Sequence, residues 1–128
     1  MTREVLLISH HPGHGKVLAE MLSAISVSIE HVSSLKDARR KLQDGAYSVV
    51  LTEANLPDGT WHEVVDFGGE LNCKVIVTHQ HADARLWVEV LHRGAHDFIA
   101  QPFAATEVQR ILGNACSRGS RTNRATWR

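Results

Sequence analysis

The sequence predicts a doubly wound α/β fold of five strand–helix pairs, (βα)5, and three observations predict it. Five short apolar runs recur along the chain: Val5 to Ile8, Ile29 to Val32, Val49 to Leu51, Val75 to Val77 and Phe98 to Ala100. Continuous β-branched runs, rather than alternating ones, indicate strands covered on both faces. Segments of helical period separate the runs, and such alternation implies a parallel sheet flanked by helices.

The first run leads through Gly13 and Gly15, which begin a helix whose stripe is Leu18, Met21, Leu22 and Ile25. After the second run, Ser34 with Asp37 signals a helix start. Leu35, Ala38 and Leu42 form its apolar stripe, and Gly45 follows as a terminal glycine. The third run ends in Leu56-Pro57-Asp58-Gly59, a turn sequence, and Thr60 with Glu63 fits a capping box for a short helix carrying Val64 and Phe67. A fourth helix carries Trp87, Val88 and Leu91 and ends at Gly94. Val108, Ile111, Leu112 and Ala115 mark the fifth. Right-handed crossovers restrict the topology to a flavodoxin-like strand order, 2-1-3-4-5. In such a sheet the site crevice lies outside the carboxyl ends of the strands.

The 128 residues suit one domain, placed at 1–118, with 119–128 read as a basic linker or fragment end. No apolar run approaches the roughly 20 residues that span a bilayer. The first strand begins too early, and is too short, for a signal-peptide core of about 7–15 residues. The expectation is a cytoplasmic protein without membrane contact. Cys73 and Cys116 lack metal-ligand spacing and read as ordinary thiols. Fourteen basic and fourteen acidic residues balance, which argues against gripping nucleic acid through the field of the domain. Gly13-His14-Gly15-Lys16 is not a phosphate loop, since position 10 is His and position 17 is Val where Gly and Ser/Thr are needed. No nucleophile–base pair emerges from the spacing, so no enzyme is expected.

Glu53 is the most informative single residue: a carboxylate at the tip of the buried third strand, just before the turn. Three blocks in order carry a resemblance over residues 3 to 118. They are Leu56-Pro57-Asp58-Gly59, then Val75-Ile76-Val77-Thr78, then Arg93-Gly94-Ala95-His96-Asp97-Phe98-Ile99-Ala100-Gln101-Pro102-Phe103. Together they resemble the receiver domains of response regulators, the CheY-like partners of histidine kinases in two-component phosphorelays. The resemblance implies an acidic pair that holds Mg²⁺, an aspartate that takes the phosphoryl group, and a hydroxyl and a lysine that read the product. The acidic pair falls on Ser9 and His10, the aspartate on Glu53, the hydroxyl on Thr78 and the lysine on Gln101. The fifth-strand switch aromatic falls on Phe98, and the peptide before Pro102 is expected to be cis.

Four of these five positions depart from the pattern, and each loss has a chemical meaning. Mg²⁺ wants several hard oxygen ligands, whereas Ser9, His10 and Glu53 offer one anionic group, so no cofactor is expected. Without the metal and with neutral Gln101, nothing neutralises charge on a transferring phosphoryl group. Glu53 also moves its carboxylate outward by one methylene, and a misplacement of about 1 Å can cost two orders of magnitude in rate. The expected function is that of a pseudo-receiver, a non-catalytic regulatory domain of a signalling or transcription regulator that acts through protein–protein contact.

Alternatives stay open at this stage. Glu53 could imitate a phosphorylated aspartate or be a solvated acid at a dead site. A phosphoryl group could still be taken at Glu53 or Asp58. From another class, His10, His11, His14, His79 and His81 lie in two loops beside the crevice and could hold a transition metal or sense pH. The plainer reading of these rings is hydrogen-bonded or solvated loop residues. By resemblance, a signalling partner, an output domain or a second copy would dock on the fourth helix, fifth strand and fifth helix, where Trp87, His92, Arg93 and Arg110 are candidates.

Overall fold

A computed structural model describes residues 3–45, 47–81 and 83–117. The boundary expected at 118 and the basic segment 119–128 lie outside the described residues. The elements run β1 (Arg3–Ile8), α1 (Pro12–Ser23), β2 (Val27–Val32), α2 (Leu35–Asp44), β3 (Val49–Glu53), β4 (Asn55–Leu56), β5 (Gly59–Thr60), α3 (Trp61–Glu70), β6 (Lys74–His79), α4 (Ala84–Arg93), β7 (Asp97–Ala100) and α5 (Ala105–Cys116). Five strands form one sheet in the order β2-β1-β3-β6-β7, every pairing parallel. Counting the main-sheet strands alone, this is the order 2-1-3-4-5. The Leu-Pro-Asp-Gly turn closes the small antiparallel hairpin β4–β5, which strand patterning alone did not announce.

Side chains alternate across the sheet, so each strand feeds two cores. Leu6, Ile8, Val50, Val75, Val77 and Phe98 pack with residues of α2, α3 and α4. Val5, Leu7, Val49, Leu51, Ile76 and Ile99 pack with α1 and α5. Burial of each such side chain contributes roughly 1.5–3 kcal/mol, which accounts for the continuous apolar runs. All of Leu35, Ala38 and Leu42 are buried, as are Val108, Ile111, Leu112 and Ala115.

Local signals fix the helix ends. The Ser34 hydroxyl accepts from the Asp37 amide at 3.2 Å, and the Glu63 carboxylate accepts from the Thr60 amide at 3.0 Å. Asp83 caps α4 by accepting from the Leu86 amide at 2.8 Å. At its other end Gly94 takes φ 115°, a left-handed conformation that glycine adopts without steric cost.

The fourth helix corrects the sequence reading. Trp87, Val88 and Leu91 are 50%, 61% and 39% exposed, while Val90 is fully buried and Leu86 packs against the core. The segment carries apolar residues at both spacings, and periodicity could not choose between the 86/90 pair and the 87/91 pair. The first helix also stops earlier than its stripe, at Ser23. Ile25 lies in the following turn and still packs against the core.

Candidate functional site

The carboxyl ends of β1, β3 and β6 and the loop after β7 converge on a cleft of about 190 Å³. It is lined by residues that include His10, His14, Glu53, Thr78, His79 and Gln101. Glu53 is the last residue of β3 and pairs in register with Thr78 on β6. Parallel pairing thus brings together the carboxylate and the hydroxyl that the sequence singled out.

The two belong to separate hydrogen-bond networks. Glu53 Oε1 accepts from the His10 backbone amide at 3.2 Å and from His10 Nδ1 at 3.0 Å. Its Oε2 lies 3.4 Å from His14 Nδ1. Thr78 instead donates its hydroxyl to the Ile99 carbonyl at 2.6 Å and accepts from Gln101 Nε2 at 3.2 Å. The Gln101–Pro102 peptide is cis.

Ser9 is fully buried beneath this loop. Its hydroxyl oxygen accepts from the His11 amide at 3.1 Å and lies 2.9 Å from His14 Nδ1. Ser9 and Glu53 therefore meet the same ring nitrogen of His14, which is not the relay of a hydrolase triad, where two nitrogens are used. The Ser9 carbonyl accepts from His31 Nε2 at 2.7 Å. Gly15 makes room for His31, because a Cβ there would sit 2.7 Å from its Nδ1. His11 caps α1 by accepting from the Gly13 amide, and its ring stacks on His14 at 4.3 Å between centroids. Phe103 closes the other side of His14, edge-on at 5.1 Å.

The electrostatics of His14 follow from this packing. Burial pushes its pKa below the ordinary histidine value. Glu53 opposes that shift, while His11, His31 and His10 reinforce it. Burial is the larger influence, so at neutral pH the His14–Glu53 contact is that of a neutral ring on a carboxylate and not an ion pair. The His10 side chain is 60% exposed, against 12% for His14.

The five loop histidines divide into two groups. His10, His11 and His14 gather on Glu53 and Ser9. His79 and His81 lie across the cleft, where His79 Nδ1 accepts from the His81 amide at 2.8 Å and Nε2 lies 3.4 Å from Asn55 Nδ2. Among the described residues, no three His, Cys, Asp or Glu side chains come together so as to hold a metal ion. Asp58 lies outside the cleft. Its carboxylate accepts from the Leu35 amide at 2.8 Å and the Lys36 amide at 3.1 Å, capping α2. The Leu35 hydrogen bond is the main cause that holds its pKa below the ordinary carboxylate value.

The candidate docking residues separate likewise. Trp87, Phe98 and Arg110 line a groove of about 630 Å³ between α4, β7 and α5. Arg93 faces away from it, 3.2 Å from Asp66 of α3, and His92 is exposed on the last turn of α4. Sequence reasoning missed His31, Asn55 and Phe103. The available signal for His31 was a polar residue inside the second apolar run, opposite a glycine in the first helix. Among the described residues no helix is long and apolar enough to cross a membrane.

Residues 5–112 match the family model described as "Response regulator receiver domain". The chain is 28% identical over 106 residues to the swarming motility regulation protein RssB of Serratia marcescens, covering 81% of this chain and 48% of that protein. It is 23% identical over 112 residues to the two-component response regulator ARR18 of Arabidopsis thaliana, covering 84% and 17%. The chain thus spans about half, or less, of these relatives. Among solved structures, the receiver domain of a putative Luxo repressor protein from Vibrio parahaemolyticus superposes with a TM-score of 0.85 at 19% identity, covering 100% of both chains. The beryllofluoride-activated NtrC4 receiver domain dimer superposes with a TM-score of 0.81 at 22% identity, covering 88% of this chain and 95% of that one.

Proposed function

The chain belongs to the response-regulator receiver domain family of two-component signalling, and we propose that it is a receiver whose ordinary aspartyl phosphorylation is lost and which signals by protein–protein contact. One observation carries this reading. The carboxylate at the phosphoacceptor position is held by His10 and His14 and shares no hydrogen bond with Thr78 or Gln101, the residues placed to read a product.

The donor set supports the same reading. Mg²⁺ requires near-octahedral oxygen ligation. Among the described residues Glu53 is the one carboxylate lining the cleft, and imidazoles approach both of its oxygens. The Ser9 hydroxyl is buried and engaged. These residues do not fit the ion. Gln101 donates to Thr78 without supplying charge. Asp58 is a poor substitute acceptor because α2 amides occupy both of its oxygens. A cytoplasmic location, and an output domain or partner docking on the α4–β7–α5 face, belong to the same proposal.

Beryllofluoride with Mg²⁺, followed by amide NMR, tests it. The account expects the Thr78, Ile99 and Gln101 amides to stay in place. A saturating shift of all three would assign the site an ordinary receiver chemistry.

A further inference from the structure

We propose that the start of α1 is a proton-operated latch: as neutral rings His11 and His14 hold it closed, and protonation of the pair releases it. The inference does not rest on the loss of phosphorylation, because the latch needs a proton and no phosphoryl donor. Its first part is the helix cap. His11 Nδ1 accepts from the Gly13 amide at 3.3 Å, where helices ordinarily use Ser, Thr, Asp or Asn. An imidazole nitrogen accepts through its lone pair, and a protonated ring donates from both nitrogens. Protonated His11 therefore faces the Gly13 N–H with another N–H, and the cap is lost. A cation at a helix N-terminus is also opposed by the helix dipole, and the first turn of α1 contains no acid to offset it. His11 is exposed, so a proton reaches it directly.

His14 is the second part. It stacks on His11 with ring planes 10° apart, and the edge of Phe103 closes its other side. Among the described residues, the titratable groups that face it are Glu53 from β3, His31 from β2, His10 from the loop after β1 and His11 at the cap. The loop before α5 presents Phe103, which carries no charge. Glu53 is the one acid in this set, and its Oε1 is already bonded to the His10 amide and ring. Burial outweighs Glu53, so the proton binds more tightly to a solvated His14 than to the packed ring. The latch is closed above the ordinary histidine value of about 6.5 and opens as pH falls from there.

Opening stays local because Gly13 and Gly15 flank His14, and glycine weakens a helix. Leu18 and Leu22 anchor the rest of α1 in the core. Release of His14 ends its contacts with Glu53 Oε2 and with Phe103 together. Phe103 belongs to the same loop as Gln101, the donor to Thr78. A proton thus acts on the cleft from two sides, through the loop after β1 and the loop before α5.

Amide hydrogen exchange of the full chain between about pH 7.5 and about pH 5.5, with each rate divided by its intrinsic rate at that pH, tests the latch. The variants are H11N, in which asparagine caps the helix without titrating, and H11N/H14Q. Linkage limits the loss of protection to about tenfold per pH unit for each proton taken up. The wild type should lose protection at Gly13 and His14 as pH falls, and both should stay less protected than Val50 in the core of β3. H11N should lose less at Gly13 than the wild type, and H11N/H14Q should be flat at both positions. Constant wild-type protection at Gly13 and His14 overturns the proposal, as does a loss in H11N equal to that of the wild type. Equal protection at Gly13 and Val50 also overturns it, because the proton would then act through global unfolding and not through the latch.

Discussion

Glu53 and Thr78 are direct neighbours in the β3–β6 ladder, yet their side chains are bonded in different directions: Glu53 to His10 and His14, Thr78 to Ile99 and Gln101. The arrangement separates the acid from the residues that would report on it. A two-state element responds only to an input that interacts differently with its two states. Here the side-chain partners of Glu53 lie in the loop after β1 and at the start of α1, and not on β7.

Substitution tests the separation. Glu53→Gln should perturb the amides of His10 and Ser9 and leave those of Ile99 and Gln101 in place, by amide NMR. Thr78→Val removes a buried hydroxyl that both donates and accepts, and should cost about 1 kcal/mol of unfolding free energy in a denaturant titration. Equal perturbation of both loops by Glu53→Gln would join the two networks.

Acid should weaken the fold through His14. Its folded pKa lies below the ordinary value, chiefly through burial, so the unfolded chain binds the proton more readily. The neutral-ring contribution is present above the unfolded pKa of about 6.5 and is lost as pH falls from there through the lowered folded pKa. Thermal melts over that window should show stability rising with pH, with a smaller slope in His14→Gln. Glu53→Gln removes the one influence that raises the His14 pKa, so the ring should titrate still lower. An upward movement in a histidine NMR titration would reverse the assignment.

The orientation of α4 gives a paired test. Val90→Ala should destabilise by about 1.5–3 kcal/mol, because the side chain is wholly buried. Val88→Ala should stay within about 0.5 kcal/mol, because that side chain is mostly exposed. Equal costs would rotate the helix.

The Asp58 cap on α2 is tested by Asp58→Ala, which should lower the melting temperature and speed hydrogen exchange at Leu35 and Lys36. Unchanged exchange at both amides would remove Asp58 from the α2 N-terminus.

The architecture was legible because burial on both sheet faces leaves unbroken apolar runs such as Val5 to Ile8, and because local caps such as Thr60–Glu63 announce helix starts. Strand ends then predicted which loops meet, and Ser9, Glu53, Thr78 and Gln101 do line or underlie one cleft. The direction of hydrogen bonds was not legible. Nothing in the order of residues says that the Glu53 carboxylate turns toward His10, or that His31 reaches the Ser9 carbonyl from β2. Those choices follow from three-dimensional packing, including the space left by Gly15. The exposed Trp87–Val88–Leu91 surface was hidden for a related reason: an apolar stripe on a helix looks the same in sequence whether a core or a partner covers it.

The central claim is that Glu53 does not take a phosphoryl group by the receiver mechanism. Incubating the purified full chain with acetyl phosphate and Mg²⁺ and measuring its intact mass tests this most directly. The account predicts an unchanged mass. A stoichiometric gain of one phosphoryl group, absent in Glu53→Gln, would contradict it.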